Sequence, residues 1–213
     1  PFPSCRFHRN GYPDRSYQVY NNMYDTRYYE SLQRSTSTDF KINKYVTNSA
    51  TIDLSASTSD ELSVSYGTAY RASYCSANWI VYRLTDIMLM KAEALVQLAV
   101  DRENGKDQKL SEAFKLVNAV NLRSNCDKNK VAVLDSTLYT TKSTMNNLVM
   151  AERQRELMFE GKRWFDLVRR ARREGNTDYL VEQVKRKYTT NGSAVQSKLS
   201  RMEAIYWLIT RTN

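Results

Sequence analysis

The stretch that most limits what this chain can become is "NWIVYRLTDIMLMKAEALVQLA", which starts at Asn78. Ile80, Leu84, Ile87, Met88, Ala94, Leu95 and Leu98 recur at intervals of three and four, which lays them along one side of a helix. Thr85, Leu89, Ala92, Val96 and Ala99 form a second side, and Asp86, Glu93 and Gln97 cluster on a narrow polar strip. A helix apolar over most of its girth has to be packed on two sides. That predicts a layer of stacked helices and excludes a lone surface helix.

The next segments supply the stack. After a loop punctuated by Gly105, "LSEAFKLVNAVNLRSN" places Leu110, Ala113, Phe114, Val117 and Val120 on one face, completing a helical hairpin. Small residues at Ala92, Ala94, Ala113 and Ala119 let its helices approach closely, as in tetratricopeptide pairs, although the full repeat signature is absent. A connector from Asp127 to about Thr141 leads into a third helix, from about Ser143 to Glu160. Gly161 ends it, because glycine takes the left-handed conformation cheaply, and a fourth helix runs from about Lys162 to just before Gly175.

Residues 1–77 have another character. They are rich in Tyr, Ser, Thr, Asn and Asp without a sustained helical period, so loops, turns and brief strands are expected. Pro13-Asp14 and Tyr66-Gly67 mark turns, and "SATIDLSASTSDELSVS" reads as an exposed polar excursion. The expected fold is mainly α: tetratricopeptide-like stacked helical hairpins at 78–213 with a loop-rich, irregular N-terminal segment at 1–77, together one structural unit of a longer protein. The opening "PFPSC" has no Met, charged region or apolar run, so it reads as a cut inside that longer chain, and Cys5 does not read as a lipid-bearing signal-peptide cysteine.

Composition narrows the function classes. With 213 residues and 41% hydrophobic content the chain can bury a core. No segment approaches the roughly 18 apolar residues of a membrane-spanning helix. Cys5, Cys75 and Cys126 form no C-x-x-C pair and His8 is the only histidine, so no metal centre, thiol redox motif or other cofactor is expected. No phosphate loop, G-x-S-x-G or Cys/His dyad is present. The net charge of +9 favours acidic partners in general but bears on association, not on fold.

The densest chemistry lies in "AERQRELMFEGKRWFDLVRRARREG", Ala151 to Gly175. An apolar stripe at Met145, Leu148 and Val149 runs into Glu152 and Glu156 before returning to Phe159, so acids face inward and need partners. Arg153 and Arg155 are at hand, and Arg163 and Arg169 flank Asp166 at three-residue steps. The expected result is a structural ion-pair network of Glu152, Arg153, Glu156, Glu160, Arg163, Asp166 and Arg169 across the Gly161 corner, with Trp164, Phe165, Leu167 and Val168 packed around it. Catalysis by Glu152 and Glu156 fits less well, because surrounding arginines hold both ionised when acid/base work needs split pKa values. The "RRARR" run is the best argument for a helical adaptor that grips protein or nucleic acid, yet Glu174 and Asp178 follow at once and no nucleic-acid module is present.

Five motifs resemble the C-terminal part of the SusD/RagB family. Arg83, Asp86, Leu89, Ala92, Glu93 and Ala94 match its Arg-x-x-Asp-x-x-Leu-x-x-Ala-Glu-Ala helix. "ERQRELMFEGKRWFDLVRR" is similar to a second family motif, and "VNAVNLRSN" to its Asn-x-x-Arg segment through Asn121 and Arg123. "YDTRYYESL" resembles an Asp-Pro-Arg segment with Thr26 in the Pro position, and "YWLIT" a Trp-Pro-Ile with Leu208 in the Pro position. The resemblance implies a non-catalytic outer-membrane, cell-surface lipoprotein whose lipid anchor lies outside this chain. Such a protein sits on a SusC-like TonB-dependent transporter and captures oligosaccharides, or in some members peptides; nucleic acid is no partner. The motifs themselves are scaffold in that family.

Sugar sites combine aromatic platforms with polar hydrogen-bonding side chains. By composition the expected ligand-facing residues are Tyr12, Tyr17, Tyr20 and Tyr24 in one cluster and Tyr66, Tyr70 and Tyr74 in another, with Arg15 and Asn21 as hydrogen-bonding partners.

Overall fold

The computed structural model describes residues 7–8, 19–20, 24–34, 39–45, 50–57, 62–67, 79–102, 105–127, 134–186 and 192–206. Its N-terminal part is built from short pieces: β1 (Phe7–His8), α1 (Thr26–Ser31), β2 (Leu32–Arg34), β3 (Asp39–Ile42), β4 (Ala50–Ser57) and β5 (Leu62–Tyr66). Asp25 starts α1 by accepting the Arg27 backbone N–H at 3.1 Å, the usual job of a short acidic cap. β3 lies between β1 and β2, antiparallel to both.

β4 and β5 form an antiparallel hairpin with Ile52 opposite Val64 and a register irregularity between Asp53 and Ser57. This corrects the reading of that stretch as a polar excursion. Ile52, Leu62 and Val64 pack on a cluster made by Tyr20, Tyr28, Tyr29 and Leu32, so the period-two pattern inside the Ser/Thr-rich run decides the local structure.

Three longer helices make the expected layer: α2 (Leu84–Leu98), α3 (Gln108–Arg123) and α4 (Lys142–Glu156). The Asp107 carboxylate caps α3 through the Lys109 N–H at 2.8 Å, and Thr141 and Thr144 cap the start of α4 reciprocally. Leu89, Ala92, Val96, Leu110, Ala113, Val117, Val120, Met145 and Val149 interlock as one core among them. The alanines allow this approach. A second core joins Met150 of α4 to Leu167 and Ala171 of α5 (Arg163–Glu174), Leu180 of α6 (Asp178–Lys185) and Ile205 beyond α7 (Gly192–Leu199).

Two expectations about the helices need correcting. α4 stops at Glu156, four residues short of the expected end, because the chain turns through Phe159 at φ 64° and Gly161 at φ 72°. The other concerns α2, which is packed on one side only: Leu84, Ile87 and Leu98 are 75%, 49% and 66% exposed, while Leu89, Ala92 and Val96 on the opposite side are fully buried. α3 and α4 both pack on that buried side, and no described element covers the other.

Candidate functional site

Where α4 turns towards α5, three glutamates follow one another at i, i+4 and i+8, and all are buried. The first, Glu152, accepts from Arg27 at 2.7 Å, from Arg155 at 2.6 and 3.0 Å and from Asn121 at 3.4 Å. Its neighbour one turn on, Glu156, accepts from Arg27 at 2.9 Å and Arg123 at 2.7 Å, and from Arg83. Beyond the helix end, Glu160 meets Lys44 at 2.6 Å and Arg83 at 2.8 Å. Arg27 itself is clasped by Asp25 in a two-pronged bond of 2.9 and 2.6 Å, so the short helix α1 is bolted to the far end of the sequence.

A second cluster sits on the neighbouring face of α4. Arg153 makes a two-pronged bond to Asp166 of α5 at 3.0 and 2.9 Å and reaches Asp86 of α2 at 3.0 Å. Arg169 links Asp166 at 2.9 Å to Glu93 at 2.7 Å, and Arg173 adds a further bond to Glu93 at 2.8 Å. The polar strip of α2 therefore faces inward, and Asp86 and Glu93 are 2% and 5% exposed. Arg163 does not join these ion pairs: from the start of α5 its guanidinium donates to the Met150 carbonyl at 3.1 Å and to Gln183 at 3.2 Å.

The electrostatics follow from this packing. Burial alone would raise the pKa of Glu156, but the Arg83 and Arg123 guanidiniums outweigh it and hold the carboxyl at about 2. Burial likewise opposes ionisation of Glu152 and Glu93, and their arginine neighbours again bring both below the usual carboxylate range. A carboxylate kept ionised and fully bonded can neither donate a proton nor serve as a mobile base. In "RRARR", Arg169 and Arg173 bind Glu93 and Arg170 binds Glu174, which leaves Arg172 as the arginine of the run without a described partner. Arg169 and Arg173 are thereby committed to the scaffold, and Arg170 keeps only part of its guanidinium free.

The aromatic candidates distribute unevenly. Tyr20, expected at the ligand, is 2% exposed, packs edge-on to Tyr28 and donates its hydroxyl to the Arg155 carbonyl at 2.9 Å. Here it is a wall of the tyrosine core. Tyr24 is half-buried beside that cluster, and Tyr66 is half-buried with its hydroxyl 3.3 Å from the Leu32 carbonyl. Tyr12, Arg15, Tyr17, Asn21, Tyr70 and Tyr74 lie outside the described residues. Sequence reasoning missed Trp79 and Tyr82, which are 60% and 67% exposed just ahead of α2. Trp79 stacks on Tyr45 with ring centres 5.1 Å apart, and Lys162 lies 4.3 Å over the Tyr82 ring. Their signal was an aromatic pair three residues apart before a helix start, in a stretch whose helical period drew attention first.

The model that describes the SusD family matches residues 2–208. The chain belongs to the SusD family. Two curated relatives, both from Formosa agariphila, are similar to it. SusD-like protein P38 is 31% identical over 148 residues, which is 68% of this chain and 24% of the relative. SusD-like protein P2 is 30% identical over 94 residues, 44% of this chain and 17% of the relative. This SusD-family chain thus aligns with about a quarter or less of each relative's length. No solved structure gives a significant match. Among the described residues, no helix is long and apolar enough to cross a membrane.

Proposed function

We propose that this chain is scaffold and part of the binding face of a non-catalytic cell-surface protein. That protein captures oligosaccharides, or peptides, and passes them to a partner SusC-like TonB-dependent transporter in the outer membrane. Membership of the SusD family supports the reading, and so do the names of both SusD-like relatives. Attachment to the membrane would come from a lipid outside this chain. The observation that carries the non-catalytic part is the state of the carboxylates: Glu152, Glu156 and Glu160 are each buried against two or more cations.

For the ligand we keep the tyrosine-rich segment as the proposed face, with Tyr24 and Tyr66 as its described members, and add the exposed rings of Trp79 and Tyr82, each covered on one face, by Tyr45 and Lys162 respectively. Exposed aromatic faces beside cations suit the weakly apolar faces and hydroxyls of sugars. Isothermal titration of the full-length protein against a panel of plant, algal and host-type oligosaccharides and mixed peptides tests the reading. Binding without release of reducing sugar, together with co-purification of a transporter from outer membranes, is the expected result. Steady sugar release, or strong retention on polyanions that collapses with modest salt, would refute it.

A further inference from the structure

A groove of about 370 Å³ opens between α4, α5 and α6, and none of its lining side chains is a carboxylate. Its polar lining is Asn147, Gln154, Arg155, Arg170, Gln183 and Arg186. Each guanidinium has a carboxylate partner outside the lining, yet each partner occupies only one edge. Arg155 turns Nε and Nη2 to Glu152 and its Nη1 to the Val19 carbonyl at 3.4 Å, whereas Arg170 turns Nε to Glu174 and Arg186 turns only Nη2 to Glu182. Arg170 is the best fixed of the three: its Cζ lies 3.6 Å over the centre of the Tyr179 ring, and its Nη1 donates to Asn147 at 2.8 Å. Its Nη2 has no bond to a described residue.

The amides reinforce the same polarity. The Asn147 oxygen already accepts from Arg170 and the Gln183 oxygen from Arg163, while the NH2 group of each amide has no bond to a described residue. Free N–H donors therefore outnumber free side-chain acceptors in the groove, where the Gln154 amide supplies both kinds. A neutral sugar can accept from these donors, but its hydroxyls must also donate, and there they meet fewer acceptors. A carboxylate or sulfate accepts several N–H bonds at once and donates none, and guanidinium is the side chain that suits it best. Resting on the capture function proposed above, we infer that this groove is a subsite for an acidic oligosaccharide, one that carries carboxylate or sulfate groups.

The test uses the full-length protein and paired probes that differ only in charge: trigalacturonic acid against its methyl ester, and one neutral tetrasaccharide before and after chemical sulfation. The acidic member of at least one pair binds about tenfold or more tightly than its neutral partner, with an affinity that falls as salt rises. Gln154→Glu places a carboxylate among the donors at a half-buried residue outside the ion pairs, and it abolishes the preference while the melting temperature stays put. Should Gln154→Glu lower the melting temperature, Arg186→Ala, at an exposed position, provides the second reading by weakening the acidic probe and not the neutral one. Equal binding of both members of both pairs, or a preference that survives both substitutions, overturns the subsite and leaves glycan capture standing. Failure to bind any probe or any member of the wider panel overturns both.

Discussion

Replacing Glu156 by Gln removes one charge from the centre of the first cluster and changes almost no volume. Three cations lose a partner, but unequally. Arg27 keeps Asp25 and Glu152, Arg83 keeps Glu160, and Arg123 is 54% exposed in its side chain and can turn to water. Breaking a buried pair costs about 3–5 kcal/mol when the survivor is stranded, so the lower end applies here. The lowered carboxyl pKa, set by the same arginines, gives a figure of the same order. A drop from 4.5 to about 2 corresponds to about 3 kcal/mol of stability tied to the ionised form. Because the folded pKa lies below the unfolded one, this stability is complete above about pH 4.5 and disappears as pH falls through about 2. Urea unfolding followed by far-ultraviolet circular dichroism, run on wild type and Glu156→Gln from pH 7 down to pH 2, should therefore show a gap of about 3 kcal/mol at neutral pH that closes across that window. A gap below about 0.5 kcal/mol at pH 7, or one that persists unchanged at pH 2, would refute the argument.

Other outcomes follow from the same coordinates. Asp25→Asn keeps an oxygen for the Arg27 N–H and loses only the charged clasp, whereas Asp25→Ala loses both, so urea titration should rank Ala below Asn by about 1 kcal/mol. Gly161→Ala and Gly175→Ala should each cost about 1–2 kcal/mol and should match, since both sit near φ 70° and an added Cβ meets at worst Trp79 at 3.7 Å; unequal thermal shifts would contradict a purely backbone cause. Tyr20→Phe should lose about 1 kcal/mol in chemical denaturation through its hydroxyl bond to Arg155, and leave glycan titration unaltered. On α2, Leu89→Ala should lower stability by about 2–5 kcal/mol while Leu84→Gln on the open side stays within about 0.5 kcal/mol, measured on the 213-residue chain.

What could be read from the sequence was what repeats locally. The three- and four-residue spacing of Leu89, Ala92, Val96 and of Leu110, Ala113, Val117 and Val120 marks the buried faces of α2 and α3, because a helix shows its neighbours one stripe at a time. Acids interrupting an apolar stripe at Glu152 and Glu156 demanded cations on physical grounds, without saying which. The donors that answer include Arg27 and Arg83, 125 and 73 residues earlier, and no local window links such distant positions. Arg163 misled for the converse reason: closeness in sequence to Asp166 invited a pair, but its side chain leaves α5 towards Met150 and Gln183. Tyrosine density likewise pointed to exposure. A phenol's rim is polar and its face is not, and Tyr20, Tyr28 and Tyr29 use the face.

The clasp on Arg27 has a consequence for the order in which the chain can mature. During synthesis α2 and α3 meet as near neighbours in sequence and can pair early, before α4 closes on them. Arg27 meets Glu152 only across 125 residues, which at about 5–20 residues per second means a wait of roughly 6 to 25 s with Asp25 as its nearest counter-ion. Completion of the N-terminal segment is thereby deferred until the Glu152–Glu160 turn has been made, so release of a finished molecule is gated by its last third.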